Sequence, residues 1–138
     1  MSNSSKDILA ALNTQLKTVA GLPALVFFED ESVPDPIDSN ATFVTAHDMP
    51  SGVDSPVINV LNERDRGIYQ VSIFTPRGRK GFSARVLADN IKSAFGRNVL
   101  LTLGTSKMTF RRVEVGSGNH ENGNHYMLPV SVYWQVVG

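Results

Sequence analysis

The sequence predicts an α+β protein in which two helices pack on one face of a mixed or antiparallel sheet of about five strands. Two segments repeat apolar residues at helical spacing, and two others alternate apolar and polar residues as half-buried strands do. The helices and strands do not alternate strictly, which favours a sheet covered by helices over a parallel α/β sheet. The chain has 138 residues, 41% of them hydrophobic. We therefore expect one domain over residues 1–138, with no repeat and no linker.

The first predicted helix begins near Ser4 or Ser5. Ser4 can cap the helix, and Asp7 three residues later completes a start that resembles a capping box. Gly21 followed by Pro23 ends the helix. The apolar residues behind the cap share one stripe that we expect to be buried: Ile8, Leu9, Leu12, Leu16 and Val19.

Two short strands are predicted in the rest of the first half. Residues 24–28 are apolar and lie between Pro23 and an acidic segment, and residues 42–47 alternate weakly. Prolines and acidic residues between these strands, over residues 29–39, predict an irregular loop. Residues 50–56 contain two prolines and a glycine, and they predict a second irregular connection.

A strand, a turn and a helix form the clearest pattern. Tyr69, Val71 and Ile73 alternate with polar residues, and residues 76–81 turn the chain. Ser83 is expected to cap the second helix, with Phe82 contacting Leu87 as a hydrophobic staple and Gly96 ending the helix. The apolar stripe of this helix is expected to face the sheet: Ala84, Leu87, Ala88, Ile91 and Phe95.

Two strands, 108–115 and 126–136, are predicted to end the chain, joined by a flexible Gly- and Asn-rich loop over residues 116–124. Pro129 has no N–H to donate, so the last strand is expected either to lie at an edge or to be bulged. The sheet face away from the helices is expected to stay partly apolar through Phe74, Met127 and Tyr133. Either a partner subunit or a long loop of the chain would cover this face.

Charge is divided along the chain although its formal net charge is zero. Residues 1–66 carry four bases and ten acids, and residues 67–138 carry nine bases and three acids. This division could steer a head-to-tail contact between copies or place a basic face near nucleic acid. The alternative is that the two halves interleave in the fold and their charges only solvate it.

The sequence predicts no catalytic, cofactor or metal site. The chain has no cysteine, which excludes disulfides, thiolate nucleophiles and cysteine-ligated metals. His120, Glu121 and His125 match no zinc spacing, and His47 and Asp48 are adjacent on a strand and so face opposite sides. The basic run 77–81 precedes a helix but lacks the phosphate-binding glycine patterns.

No targeting or membrane segment is expected either. The first six residues are polar, and the longest apolar runs are far shorter than a membrane-spanning helix. These features predict a protein of the cytoplasm with no membrane partner.

The strand, turn and helix carry a resemblance to a known family. Arg66-Gly-Ile-Tyr-Gln-Val-Ser-Ile-Phe-Thr-Pro76, followed by a helix with Leu87-Ala-Asp-Asn-Ile91 and Phe95, resembles the small tail terminator proteins of long-tailed phages. Ala41-Thr-Phe-Val-Thr-Ala-His-Asp-Met-Pro50 is similar to a strand of that family and the proline after it. The N-terminal helix and the long final strand also fit, so the resemblance covers most of the chain.

The resemblance implies a structural virion protein at the head–tail junction, assembled in the host cytoplasm. Copies would close into a hexameric ring that caps the tail tube protein and offers a surface to the head-completion or connector protein. Genome DNA would pass through the lumen without sequence-specific binding. Nine residues are candidates for an interface or the lumen: the basic Arg77, Arg79, Lys80 and Arg85, the acidic Asp30, Glu31 and Asp35, and the sheet residues Phe74 and Tyr133.

Two other functions remain open from the sequence. One is a head-completion, neck or tail-completion protein of the same particle, which a shared fold pattern would not distinguish from a terminator. The other, from a different class, is a small nucleic-acid-binding or hydrolytic domain, suggested by the basic second half and the histidines near residue 120.

Overall fold

The computed structural model of the protein describes residues 5–29, 31–33, 40–54, 64–76, 82–103, 106–121 and 125–137. It contains two helices among these residues, as predicted, and the α+β class is confirmed. In chain order the elements are α1 Ser5–Leu16, β1 Leu25–Phe27, β2 Phe43–Asp54, β3 Arg64–Pro76, α2 Phe82–Ala94, β4 Leu100–Leu103, β5 Ser106–Val115, β6 Asn119–Glu121 and β7 His125–Val137.

The strands form one mixed sheet in the order β1-β2-β3-β7-β5-β4, and the short β6 pairs with β7 outside this path. β1 and β2 run parallel, and the other neighbouring strands pair in antiparallel fashion. The expected number of about five strands is therefore wrong. β4 and β6 have only four and three residues, and segments this short carry too little alternation to be recognised from the sequence.

The two halves of the chain occupy opposite halves of the sheet. β1, β2 and β3 come from residues 25–76, whereas β7, β5 and β4 come from residues 100–137. The two halves are therefore not interleaved within the sheet, and β1 and β4 form its two edges.

The predicted apolar stripes of both helices meet the sheet in one core. Tyr69, Val71 and Ile73 of β3 are fully buried, and we call the side of the sheet that bears them the core face. The Tyr69 hydroxyl donates a hydrogen bond of 2.6 Å to Asn13 Oδ1 of α1, and Gln15 Nε2 donates one of 2.7 Å to the Ala94 carbonyl of α2. The helical side chains in this cluster are Ile8, Leu12, Leu16, Ala84, Leu87, Ala88 and Ile91, with Leu9 partly buried against it.

The helix ends differ from the predicted ones. α1 ends at Leu16, and Val19 is buried in the turn that follows, where its N–H bonds to the Leu16 carbonyl at 3.1 Å. Gly21 has a φ of 77°, a conformation that glycine adopts at little cost, which explains this residue at the end of the turn. α2 already includes Phe82, and its side chain is 73% exposed, so the predicted staple onto Leu87 is wrong.

Both proline-based strand predictions need correction. β2 continues through Pro50 to Asp54, with a register shift between Pro50 and Val53, so the predicted irregular connection is wrong up to residue 54. β7 lies between β3 and β5 in the sheet, so it is neither an edge nor bulged at Pro129. The Pro129 carbonyl accepts a hydrogen bond of 2.8 Å from Gly116 N, just after β5 ends. The N–H and C=O of one residue in an antiparallel strand point toward the same neighbouring strand. The N–H that Pro129 lacks would therefore face β5, at the point where β5 ends and no ladder bond is needed.

Thr75 offers a test of the core. It is 1% exposed, and its hydroxyl has no hydrogen-bond partner among the described residues. A buried hydroxyl without a partner destabilises the folded state, and valine has nearly the same shape. We expect Thr75→Val to raise the free energy of unfolding by about 1 kcal/mol, measured by urea denaturation. A loss of stability would show that the hydroxyl is hydrogen-bonded in solution.

Candidate assembly surface

The side of the sheet opposite the core face, here called the outer face, carries Phe74 and Tyr133, two of the candidate residues. Alternation along β3 places Ile68, Gln70, Ser72 and Phe74 on it, and each is half-buried. On β7 the register partners of Phe74, Gln70 and Ile68 are Met127, Ser131 and Tyr133, and Gln135 follows on the same face. The outer face thus combines polar and apolar side chains, whereas the core face is mainly apolar.

Hydrogen bonds between strands order the polar part of the outer face. Ser131 Oγ donates to Gln70 Oε1 at 2.9 Å, which joins β7 to β3. Gln135 Nε2 donates to Thr109 Oγ1 at 3.3 Å, which joins β7 to β5. These bonds hold amide and hydroxyl groups in fixed positions, so a partner would meet a preorganised surface.

Tyr133 lies in a small charged cluster on this face. The Arg112 guanidinium lies 4.1 Å from the centre of the Tyr133 ring, and Arg112 Nε lies 3.3 Å from Glu114 Oε2. The Tyr133 hydroxyl donates a 2.8 Å hydrogen bond to Glu114 Oε1. A hydrogen bond with Tyr133, followed by the nearby Glu114 carboxylate, raises the pKa of Arg112 above its ordinary value. Arg112 therefore stays charged, and it lies over the Tyr133 ring beside the Glu114 carboxylate.

A bulge in β5 creates this cluster. Phe110 and Arg112 are the register partners of the adjacent Trp134 and Tyr133, so Arg111 is an extra residue on β5. Before the bulge Met108 and Phe110 are buried, and after it the core side passes to Val113 and Val115. Arg112 is thereby turned to the outer face. This bulge was not predicted from the sequence, although the break in apolar alternation at two consecutive arginines is a signal for it.

Aromatic rings gather at the other end of the outer face. Phe43 stacks on Phe74 with ring centres 4.5 Å apart, and its edge contacts include Phe27 at 5.9 Å and His125 at 5.1 Å. His125 is 5% exposed, and its Nε2 lies 3.0 Å from the Ala41 carbonyl oxygen. Phe74 is therefore half-buried and partly covered by its own chain.

The prediction of a flexible loop over residues 116–124 is wrong where β6 forms, over Asn119–Glu121. Residues 122–124 lie outside the described residues. The segment contains β6, which pairs with the first residues of β7, and His125 is a buried residue of β7. Within the described ranges, no group of three histidine, cysteine, aspartate or glutamate side chains could hold a metal ion.

The other candidate residues are dispersed. Arg77, Arg79, Lys80, Asp30 and Asp35 lie outside the described residues. Arg85 is exposed on α2, and Glu31 is exposed beyond β1, where its Oε1 accepts a 2.9 Å hydrogen bond from Phe28 N. The structure thus brings Phe74 and Tyr133 onto one face and leaves Arg85 and Glu31 on other surfaces.

Exposed apolar side chains also occur away from the outer face. Phe82 and Val86 are 73% and 61% exposed and lie one turn apart on α2. Leu25 and Leu100, on the two edge strands, are 43% and 54% exposed. None of the described helices has the length and apolar character needed to cross a membrane.

Comparison with known proteins adds a family and a fold. The family model described as phage tail terminator protein matches residues 7–134. One solved structure, which carries no functional name, is 20% identical, with a TM-score of 0.73 over 98% of this chain and 96% of the other. A chain from the virion of a native gene transfer agent particle is 14% identical, with a TM-score of 0.56 over 95% of each chain. At these identities the two structures show a shared fold. No curated protein matches the chain.

Proposed function

The chain belongs to the phage tail terminator family, and on this premise we propose that it closes into a hexameric ring that caps the tail tube. As a member of this family it is a structural protein of a phage virion. The observation that carries the proposal is the family match over residues 7–134, nearly the whole length of the chain. In this role the ring stops further addition of tube protein, presents a surface to the head-completion or connector protein, and lets DNA pass through its lumen.

The surfaces of the protein support an assembly role. The outer face is half-buried, preorganised by hydrogen bonds between strands, and carries aromatic and methionine side chains. Aromatic residues, methionine and arginine are enriched at protein interfaces. Phe74, Met127 and Tyr133 would thus contact a neighbouring copy or the tail tube protein, with two helices covering the opposite side of the sheet.

Two measurements test the proposal together. Native mass spectrometry and negative-stain images of the purified protein should show closed rings with six times the 15.0 kDa chain mass. Added to polymerising tail tube protein, the rings should stop elongation at tube ends. A protein that stays monomeric in the presence of tubes and leaves elongation unchanged would exclude the terminator role. Cross-linking to a connector protein without any effect on the tube would instead indicate a neck or head-completion role.

Arg85 allows a variant test of the proposed charged interface. It is exposed on α2, and so is Lys92 on the same helix, which serves as a matched control. Reversing a charge at an interface places like charges together and costs binding energy. We expect Arg85→Glu to weaken assembly or tube capping by about tenfold or more, whereas Lys92→Glu leaves both unchanged. If the two variants assemble and cap tubes equally well, Arg85 does not lie at the interface.

A further inference from the structure

The two edges of the sheet are complementary to each other. Within the part of the chain that the structure describes, β1 and β4 end the sheet path, and no strand pairs with their outer sides. An edge strand presents a row of backbone donors and acceptors to which another strand can add. β1 and β4 are similarly short, three and four residues. We propose that β4 of one copy pairs with β1 of the next copy and that this contact joins the ring.

The direction of the strands permits this contact. β1 runs parallel to β2, and four antiparallel steps then lead through β3, β7 and β5 to β4. An even number of reversals means that β4 and β1 run in the same direction. Copies related by rotation about an axis along the strands therefore bring β4 beside β1 as a parallel pair. Such a contact joins two different surfaces, which is the kind of contact that closes into rings.

The charges near the edges favour this pairing over pairing of like edges. Glu29 and Glu31 follow β1, whereas Lys107 pairs with Thr102 near the end of β4. At the two ends of α1 the signs are reversed, because Lys17, directly after the helix, lies over the Phe28 ring next to β1, and Asp7, in its first turn, lines a groove beside β4. Joining β4 to β1 brings Lys107 toward Glu29 and Glu31 of the next copy. It also brings Asp7 toward Lys17 of that copy. Joining β4 to β4, or β1 to β1, brings like charges together.

Apolar surface is available at both edges. Leu25 and Leu100 are exposed, and both point to the outer face, since their register partners Phe43 and Thr109 do. In a continuous sheet they would lie on the same side, within reach of each other. A groove of about 540 Å³ runs between α1 and β4, with Ala10 and Leu101 in its lining. It leaves room for the core-side residues of an added strand.

Cysteine cross-linking tests the contact directly, because the natural chain has no cysteine. Leu25→Cys and Leu100→Cys are made singly and together, and the proteins are treated with a short bismaleimide that tolerates small differences in register. We expect the double variant to give a ladder of covalent oligomers and each single variant to stay uncross-linked. A mixture of the two single variants should give covalent dimers only. The control double variant Val86→Cys with Leu100→Cys pairs exposed positions on α2 and β4, and it should give no ladder.

The outcomes separate this inference from the ring proposal on which it rests. Rings seen by native mass with no ladder in the double variant, or with cross-linking of a single variant to itself, overturn the edge contact and leave the ring standing. A ladder from a protein that does not cap tubes supports the contact and removes the terminator role. Monomers without any ladder overturn both.

Charge reversal provides an independent readout of the same contact. In the double cysteine background, Lys107→Glu and Glu31→Lys should each lower the ladder yield by about tenfold. Mixing the two reversed proteins should restore covalent dimers, because each supplies the charge that the other needs. Equal yields with and without reversal would overturn the proposed pairing of charges at the two edges.

Discussion

Replacing Phe95 by alanine lowers the free energy of unfolding by about 3–5 kcal/mol. Phe95 directly follows α2 and is fully buried. Its ring contacts Phe110 edge-on, with centres 5.1 Å apart, and lies 6.0 Å from Tyr69. It therefore connects the end of α2 to both halves of the sheet, and alanine leaves a cavity among groups held by β3 and β5.

Urea denaturation followed by the fluorescence of Trp134, the only tryptophan, measures this loss. Val86→Ala is the control, since Val86 is 61% exposed on the same helix and its truncation should change stability by no more than about 0.5 kcal/mol. If Phe95→Ala costs less than about 1 kcal/mol, the core can collapse around the missing ring, and the end of α2 is not an anchor.

The sequence could predict those elements whose pattern is local. Tyr69, Val71 and Ile73 alternate along one segment, and all three are buried as predicted. The apolar stripes of both helices are likewise spaced at a helical period and enter the core, apart from Leu9, which is only partly buried. Period alone determines which side of a strand or helix is apolar, so these predictions needed no knowledge of the partner elements.

The sequence could not predict features that depend on distant partners. Pro50 and Pro129 break strands by local rules, yet Pro50 lies in β2, and Pro129 lies in β7 where the neighbouring β5 has ended. β4 is a strand because β5 pairs with it. The Tyr133 cluster depends on the bulge at Arg111, which exists only in the pairing of β5 with β7. Local propensity carries no information about such pairings.

Replacing Trp134 by alanine is expected to cost about 3–5 kcal/mol, and replacing it by phenylalanine about 1–3 kcal/mol. Trp134 is 2% exposed on β7, between Gly67 of β3 and Phe110 of β5. Its Nε1 donates a 2.8 Å hydrogen bond to Asp48 Oδ1 on β2. Phenylalanine keeps most of the buried area and loses only this bond, so the two variants separate packing from hydrogen bonding. Denaturation is followed by far-UV circular dichroism, because neither variant contains tryptophan.

The pH dependence of Trp134→Phe tests the role of Asp48. Burial raises the pKa of Asp48, and the hydrogen bond from Trp134 partly opposes that effect. A carboxyl group whose pKa is higher in the folded state contributes stability that is present below the unfolded pKa and is lost as pH rises through the folded pKa. Without the tryptophan donor the folded pKa rises further. The stability loss of Trp134→Phe relative to the natural protein should therefore be larger at about pH 7 than at about pH 4.

Asp48→Asn supplies the matched background for this measurement. An asparagine oxygen can still accept the bond from Trp134, but the side chain no longer titrates. In this background the loss caused by Trp134→Phe should be the same at both pH values, because no proton is bound or released at position 48. A pH-dependent loss that persists with asparagine would place the titrating group elsewhere. If the pH dependence disappears with asparagine, the titrating group is Asp48, whose hydrogen bond with Trp134 joins β2 to β7.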